Sequence, residues 1–405
     1  MSSPPADASA SLPASSGFRV LILGGYGLFG GRIVRALARD AGLHLLVAGR
    51  DRARADAFVA SIDAPEARIE TLALDTEATD FAARVAALAP EVVIDTAGPF
   101  QARRARTDAA GHGDATGCDY RVVRAALAAG AHAIDLADGR DYVRGIVALD
   151  EEAKAAGRWV VSGASSVPGL NAAVIEAHRE RFAELETVES TISPGNRTPR
   201  GWATTLAILS YSGKPYRMLR DGVWRTAYGW QSLRRLRIVG VGTRWAVRCE
   251  VPDLDLLPAR YPSLRTVEFR AGLELWRMHF GLWLATWLVR AGLVRDLRRF
   301  GKPLFWLSER WQRIGSDAGF MHVRMRGRGH DGARQRLDWT LIARNGDGPQ
   351  IPATAAVLLT RKLAHGALLG ASATPCLDLF TLDEFLQTLD GYAMEAREET
   401  IREAE

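Results

Sequence analysis

The sequence predicts an α/β chain in two parts: a doubly wound parallel sheet at the N-terminus, then an α+β domain on a mixed sheet. Three observations carry this. Short apolar runs alternate with helical segments from Phe18 to Ser162, a glycine-rich turn joins the first run to the first helix, and beyond Arg181 that alternation gives way to strand-like period-2 patterning. At 405 residues the chain has room for two domains or three.

The first element is Phe18-Arg19-Val20-Leu21-Ile22-Leu23, an apolar run suited to a buried parallel strand. Gly24-Gly25-Tyr26-Gly27-Leu28-Phe29-Gly30-Gly31 follows, with G-x-G-x-x-G spacing at Gly25, Gly27 and Gly30, and Ile33 to Ala38 has helical periodicity. Between a strand and a helix, this motif suits a dinucleotide pyrophosphate. Gly25 allows the tight turn, Gly27 lets the backbone approach the phosphates, and Gly30 lets helix and strand pack closely. Tyr26, Leu28 and Phe29 complete the loop. Strands are expected at 44–48, 69–74, 92–96, 132–136 and 159–162, with helices at 53–60, 81–88, 119–129 and 141–156, giving a six-stranded Rossmann fold.

Cofactor choice is set after the second strand, about 20 residues past the fingerprint. That position holds Ala48-Gly49-Arg50-Asp51-Arg52. Arg50 and Arg52 can clamp a 2′-phosphate, so NADP(H) is favoured; Asp51, one residue on, keeps NAD(H) as the alternative. Asp75, after the third strand, is placed either to reach the adenine or to cap a helix. Ala97-Gly98-Pro99 lies where the fourth strand ends and is expected to shape a wall for the nicotinamide. Hydride transfer needs a proton donor nearby. Asp138 and Tyr142, after the fifth strand, are the candidate catalytic residues, each with a structural alternative as helix cap or packed aromatic.

These strings resemble the saccharopine dehydrogenase family, in its NADP-binding-domain branch of saccharopine reductase-like oxidoreductases. The resemblance rests on Leu23 to Gly30, Ile94-Asp95-Thr96-Ala97-Gly98-Pro99-Phe100, the segment Cys118 to Asp138, and Ser162-Gly163-Ala164-Ser165-Ser166-Val167-Pro168-Gly169-Leu170. It covers residues 18–182 and thins afterwards. It implies a Rossmann domain over 18–168, a sheet-and-helix substrate domain over 169–350, and C-terminal helices at 351–405 that return to the first domain. It further implies pyridine-nucleotide oxidoreductases that reduce an imine, and a related branch of trans-acting enoyl reductases serving lipid and polyketide assembly. Some members are associated with membranes or lipid droplets. The amino-acid-binding half of the authentic saccharopine enzymes has no residue-by-residue match here.

In the second half, strands are expected at 185–193, 264–275, 319–327 and 335–343, and helices at 202–212, 282–298, 351–369 and 381–389. Arg197 and Arg200, in the loop 193–202, are candidates for a substrate carboxylate or phosphate, or are solvated loop charges. The unusual segment is 276–311, with Trp276, Trp283, Trp287, Trp306 and Trp311. Its uncharged stretch Phe280 to Val289 is half the roughly 20 residues a membrane span needs. Three readings stand: a helix in a membrane interface through Trp276, Trp283 and Trp287, the lining of an acyl-chain pocket, or a core helix or homodimer interface.

Composition excludes several classes. All but four of the 52 basic residues are arginine, and the net charge is +5, yet no basic block or basic-aromatic stripe supports nucleic acid. Cys118, Cys249 and Cys376 are too dispersed for zinc or a disulfide framework and point to a reducing cytoplasm. No H-E-x-x-H or nucleophile elbow occurs, so neither a metal site nor a hydrolase is expected. Residues 1–17, rich in Ser, Ala and Pro, read as a disordered tail rather than a signal peptide. The reading is an NADP-dependent oxidoreductase transferring hydride to or from an imine or activated C=C of a small, apolar or acyl-linked substrate. The alternative is an NADPH-binding regulatory or membrane-associated protein without turnover.

Overall fold

The computed structural model describes residues 17–103 and 117–402; the expected N-terminal tail lies almost wholly outside them. In the first half, strands alternate with helices. The order is β1 (Phe18–Leu23), α1 (Gly30–Leu37), β2 (Leu43–Gly49), α2 (Arg52–Val59), β3 (Arg68–Ala73), α3 (Phe81–Leu88) and β4 (Val92–Asp95), then α4 (Arg121–Ala128), β5 (His132–Asp135), α5 (Arg140–Gly145), α6 (Asp150–Ala156) and β6 (Trp159–Ser162). The central strands are apolar throughout because helices cover both faces: Val20 to Leu23 and Val92 to Ile94 are at most 1% exposed. The helix expected over 141–156 is broken, with a 3-10 turn at Ile146–Leu149 between α5 and α6.

The chain crosses over through α7 (Asn171–His178) to β7 (Glu184–Ser193). There follow α8 (Trp202–Tyr211), β8 (Pro215–Arg220), β9 (Val223–Tyr228), β10 (Arg234–Ile238), β11 (Gly242–Arg248), α9 (Asp253–Arg260), β12 (Thr266–Ala271), α10 (Trp276–Arg290), α11 (Gly301–Arg310), β13 (Gly319–Arg328) and β14 (Arg334–Ala343). The last stretch holds α12 (Gln350–Ala364), β15 (Ser372–Pro375), α13 (Leu382–Thr388) and β16 (Met394–Arg402).

Two seven-stranded sheets result. The first, in the order β15-β6-β5-β4-β1-β2-β3, is parallel throughout; the second, β10-β11-β12-β7-β13-β14-β16, is mixed, with β12 parallel to β7 and its other pairs antiparallel. The fold is therefore the expected combination of a doubly wound parallel sheet with a mixed-sheet domain, with differences in detail. Residues 351–402 contribute strands as well as helices. β15 extends the first sheet beside β6, α12 lies on α1 with Arg361 paired to Asp40 at 2.9 Å, and β16 extends the second sheet beside β14. The hairpins β8-β9 and β10-β11 were not expected either.

The second sheet buries one face and pairs charges on the other. Val188, Met321, Val323 and Leu337 face the core, while Glu268–Arg270, Arg234–Glu189 and Arg324–Asp338 lie at 3.0, 2.6 and 2.7 Å on the opposite side. Arginine excess is thus spent partly on a network with neighbouring acids. A second tie joins the domains: Arg140 holds Asp255 with a 2.7 Å bond from Nε and donates to the Arg217 carbonyl at 2.7 Å. Asn171 accepts from Ser190 at 2.8 Å and donates to Asp253, so α7, β7 and α9 meet at one buried amide.

A candidate dinucleotide site and an apolar cavity

The glycine turn is built by close backbone packing. Gly24 takes the left-handed conformation, with φ of 73°, the freedom that sequence spacing assigned to Gly25. A Cβ on Gly25 would come within 2.9 Å of Val47, and one on Gly30 within 2.7 Å of the Thr96 hydroxyl and closer still to the Gly24 carbonyl. Gly27 donates its N–H to the Gly24 carbonyl at 2.8 Å. Among the described residues, the N–H groups of Leu28, Phe29 and Gly30 have no acceptor. They stand at the N-terminus of α1, as a pyrophosphate requires, so the residues present fit a dinucleotide.

At the end of β2 the structure separates the neighbouring charges. Asp51 is the N-cap of α2 and accepts from the Arg54 N–H at 3.1 Å, so its carboxylate is engaged. The Tyr26 hydroxyl accepts from the Asp51 N–H at 3.0 Å, and the Tyr26 ring occupies the space that any Cβ on Gly49 would need. Arg50 and Arg52 are exposed, and the Arg54 guanidinium lies 5.4 Å from the Tyr26 ring centre. Arg52 faces Asp56 at 3.9 Å, and Arg50 and Arg52 are exposed cations at this turn, where Asp51 is committed to a cap. Asp75 is exposed and accepts from the Glu77 N–H at 3.1 Å, as a turn cap does.

The ends of β4 and β5 carry paired acids. Asp95 receives the Ala97 N–H at 2.9 Å and a two-pronged contact from Arg103, which also donates to the Ala97 carbonyl at 2.8 Å. Asp135 receives the Ala137 N–H, the Gly163 N–H and the Ser162 hydroxyl, each at 2.9 Å; burial nevertheless pushes its carboxyl up to about 6. These bonds fix the loops around Ala97, Gly98 and Pro99. A Cβ on Gly98 would lie 3.6 Å from Ala203, so the start of α8 covers this wall.

Neither proton-donor candidate reaches the open space beyond that wall. Tyr142 is 2% exposed, its ring packed 4.7 Å from Tyr120 and 5.4 Å from Phe100, and burial raises its hydroxyl well above the usual range. Asp138 accepts from Gln101 at 2.9 Å, and burial raises its carboxyl too. Tyr142 is thus the packed aromatic weighed as its alternative, whereas Asp138 is not a helix cap: α5 is capped at Gly139 without a side-chain bond.

The open space is a cavity of about 390 Å³ between the domains. It is lined by Leu28, Phe29 and Ser166 from the dinucleotide side, by the buried Met321, Leu209 and Ile351, and by Leu282, Leu304, Leu307 and Trp311, of which Leu304 and Leu307 are exposed and mark its outer end. The size suits a small ligand, and its wall is overwhelmingly apolar. Trp230, fully buried with φ of 60°, stands on this wall; a bulky residue in the left-handed region marks local strain. Sequence reading missed the cavity because its walls come from segments between Leu28 and Pro352. One signal did point here: the Trp-rich segment supplies the outer wall.

That segment is not a core helix. α10 spans Trp276–Arg290, ends before Gly292 with φ of 76°, and buries only His279 and Thr286. Trp276 is 62% and Trp306 59% exposed. Leu284, Trp287, Leu288, Leu293 and Phe300 extend the exposed apolar face, ringed by Arg290, Arg295, Arg298, Arg299 and Lys302. Among the described residues no helix is long and apolar enough to cross a membrane, and no cluster of His, Cys, Asp or Glu could hold a metal. Cys118, Cys249 and Cys376 are buried, and no disulfide joins them.

Comparison with known proteins places this geometry. Residues 20–161 match the family model of the saccharopine dehydrogenase NADP binding domain. Among solved structures, apo histidine-tagged saccharopine dehydrogenase (L-Glu forming) from Saccharomyces cerevisiae aligns with a TM-score of 0.66 at 15% identity, over 95% of this chain and 100% of that one. Both domains thus share its fold. Looser likenesses are to GenD2 from gentamicin A biosynthesis in complex with NAD (TM-score 0.41, 13% identity, 97% and 100% covered) and a meso-dapdh mutant from Clostridium tetani E88 (0.43, 11%, 91% and 96%). No curated protein matches the chain.

Proposed function

We propose that this chain, whose N-terminal domain is an NADP-binding domain of the saccharopine dehydrogenase kind, is an NADP-dependent oxidoreductase acting on an apolar substrate. One observation carries the reading. The apolar cavity meets the dinucleotide loop at Leu28 and Phe29, and α8, whose Ala203 packs on the Gly98 wall, lines it through Thr204 and Thr205, so a molecule seated in it comes within reach of the nicotinamide side of a bound cofactor. NADPH, when bound, would supply a hydride to an electrophilic carbon: an iminium then needs no further proton, and the enolate formed from an activated C=C would take its proton from water as the product leaves.

The chain's own residues do the rest. The N–H groups at the start of α1 hold the pyrophosphate, and Arg50 and Arg52 meet the 2′-phosphate. The Asp95 and Asp135 hydrogen bonds fix the loops that orient the ring. Apolar walls exclude water from the reacting centre and strengthen interactions there. A zwitterionic amino-acid substrate is disfavoured because, among the described residues, only Glu274, Arg200 and Arg277 bring charge to a wall that is otherwise apolar. The exposed tryptophans and surrounding arginines of α10 and α11, at the outer end of the cavity, suit a surface resting on anionic lipid.

The test is NADPH oxidation at 340 nm against acyl thioesters, enones and imines, after mass spectrometry of ligands retained on purification. Turnover of an apolar enoyl substrate is expected. Tight NADPH binding without turnover across the panel would replace this reading with a regulatory cofactor-binding protein. Co-sedimentation with phosphatidylserine vesicles, lost in Trp276→Glu/Trp287→Glu, checks the surface; equal pelleting of both proteins refutes lipid contact.

A further inference from the structure

The cavity's charges are not balanced. Among the described residues, three charged side chains reach its wall: Glu274, Arg200 and Arg277. Glu274 is fully engaged. It accepts from the N–H of Asn196 at 2.6 Å, from the N–H and hydroxyl of Ser316 at 3.0 and 2.8 Å, and from Arg244 at 3.0 Å, in a buried pair. Four donors, one of them a cation, leave that carboxylate no call for a ligand.

The two arginines differ. Arg200 is half-buried; it donates to the Ser308 carbonyl at 2.9 Å and to the Asn196 carbonyl at 2.9 Å, and also to the Asn196 side chain. All these partners are neutral. Glu309 lies near enough to be felt but not to pair, and desolvation lowers the guanidinium's affinity for its proton. Arg277 lies over the Trp276 ring at 5.3 Å and is exposed. Among the described residues neither arginine has a carboxylate partner. Arg197, the other loop candidate, is exposed and off the cavity wall.

The polarity of the cavity is defined too. Arg277 stands with Gly281, Leu304 and Leu307 at the exposed end, whereas Met321, Leu209 and Ala343 close the other end at 3% exposure or less. The half-buried Arg200 meets only neutral acceptors, and Arg277 adds a second cation at the exposed end, so the charge of the pair is left uncompensated and favours an anion; the planar fork of arginine suits carboxylate or phosphate oxygens.

Resting on the apolar-substrate reading, we propose that the cavity takes a single-chain amphiphile bearing an anionic head. Arg200 and Arg277 hold the head at the mouth, and the chain runs inward toward Leu28 and Phe29. The bond that accepts hydride then lies along the chain, away from the charged end. Arg200 and Arg277 are accordingly specificity-determining residues.

The test compares dodecanoate, dodecyl phosphate and dodecanol by calorimetric titration of the full chain, below their micelle concentrations, with NADPH affinity measured on the same samples. Both anions are expected to bind at least about tenfold tighter than dodecanol. Arg277→Gln and Arg200→Gln should each erode that preference while leaving dodecanol binding unchanged. Because Arg200 ties its loop to α11, Arg200→Lys, which keeps the charge, is the second variant and should retain most of the preference. A carboxylate preference over phosphate, or the reverse, identifies the head group. Dodecanol binding as tightly as the anions, or a preference that survives both glutamine variants, overturns the anionic head but spares the apolar cavity. Binding of none of the probes, with NADPH affinity intact, overturns both this inference and the apolar-substrate reading.

Discussion

The two ends of the space between the domains are made of different material. At the dinucleotide end, backbone packs on backbone: Gly30 faces the Gly24 carbonyl, and the donors are main-chain N–H groups of a single turn. At the substrate end, side chains from α8, α10, α11, β13 and α12 converge on a space that none of them fills. A backbone cradle tolerates no added atom. A side-chain cavity changes volume with each substitution, so one cofactor site can serve differing substrates while the domain beside it varies.

Gly30→Ala tests that contrast most severely. The added methyl would press within 2.7 Å of the Thr96 hydroxyl and closer to the Gly24 carbonyl, which is backbone and cannot yield without moving the turn between β1 and α1. Overpacking of this kind costs about 3 kcal/mol, so NADPH affinity should fall roughly 100-fold. Fluorescence titration reads it; unchanged affinity would mean that the turn is not the cradle.

Asp253→Asn probes the second region alone. The carboxyl is 1% exposed, and burial pushes it up to about 7, despite the bond from Asn171. The folded state therefore keeps a proton that the unfolded chain releases near 4, and stability from this group is full below about 4 and falls as pH rises through 7. A neutral amide removes that slope. The variant should gain on the order of 2–4 kcal/mol at pH 8 and nothing at pH 4, with NADPH affinity unchanged. Denaturant melts at the two pH values check it, and equal gains at both would remove burial of charge as the cause.

Arg50→Ala returns to the first region but touches side chain rather than backbone. Losing a charge-assisted contact should lower the NADPH-to-NADH affinity ratio about tenfold while leaving the melting temperature in place, because Arg50 is exposed. An unchanged ratio would pass the 2′-phosphate to Arg52 or Arg54.

The first region was legible because its determinants are local. A strand, three spaced glycines and a helix fall within 20 residues, and the pair Arg50 and Asp51 sits at a fixed offset. Even so, Gly24 rather than Gly25 takes the left-handed turn, and Asp51 is spent as a helix cap, which spacing alone does not reveal. The second region was legible only in fragments. β9 and β10 carry exposed arginines and little apolar alternation, and the arginines of β10 and β11 find their acids on other strands, Arg234 on Glu189 and Arg248 on Glu268. β15 is four residues long and is a strand only because β6 presents a free edge. Tyr142 and Asp138 follow a strand end in sequence but turn into packed surroundings, a matter of how α5 folds back.

The smallest effect sharpens the comparison from the opposite side. Gly281 is a glycine like Gly30, in a helix and at the edge of the same interdomain space, yet a Cβ built on it meets nothing within 4 Å. Glycine inside a helix costs 0.5–1 kcal/mol relative to alanine, through backbone freedom that the unfolded chain retains. Gly281→Ala should therefore stabilise the protein by up to about 1 kcal/mol and leave NADPH affinity untouched. Any effect on ligands should appear only in alkyl-chain binding, since the methyl would enter the mouth beside Leu282 and Leu304. If Gly281→Ala weakens NADPH binding as Gly30→Ala is expected to, the two ends are mechanically one site. If it stabilises the fold while trimming only long-chain binding, backbone governs the cofactor and side-chain volume the substrate.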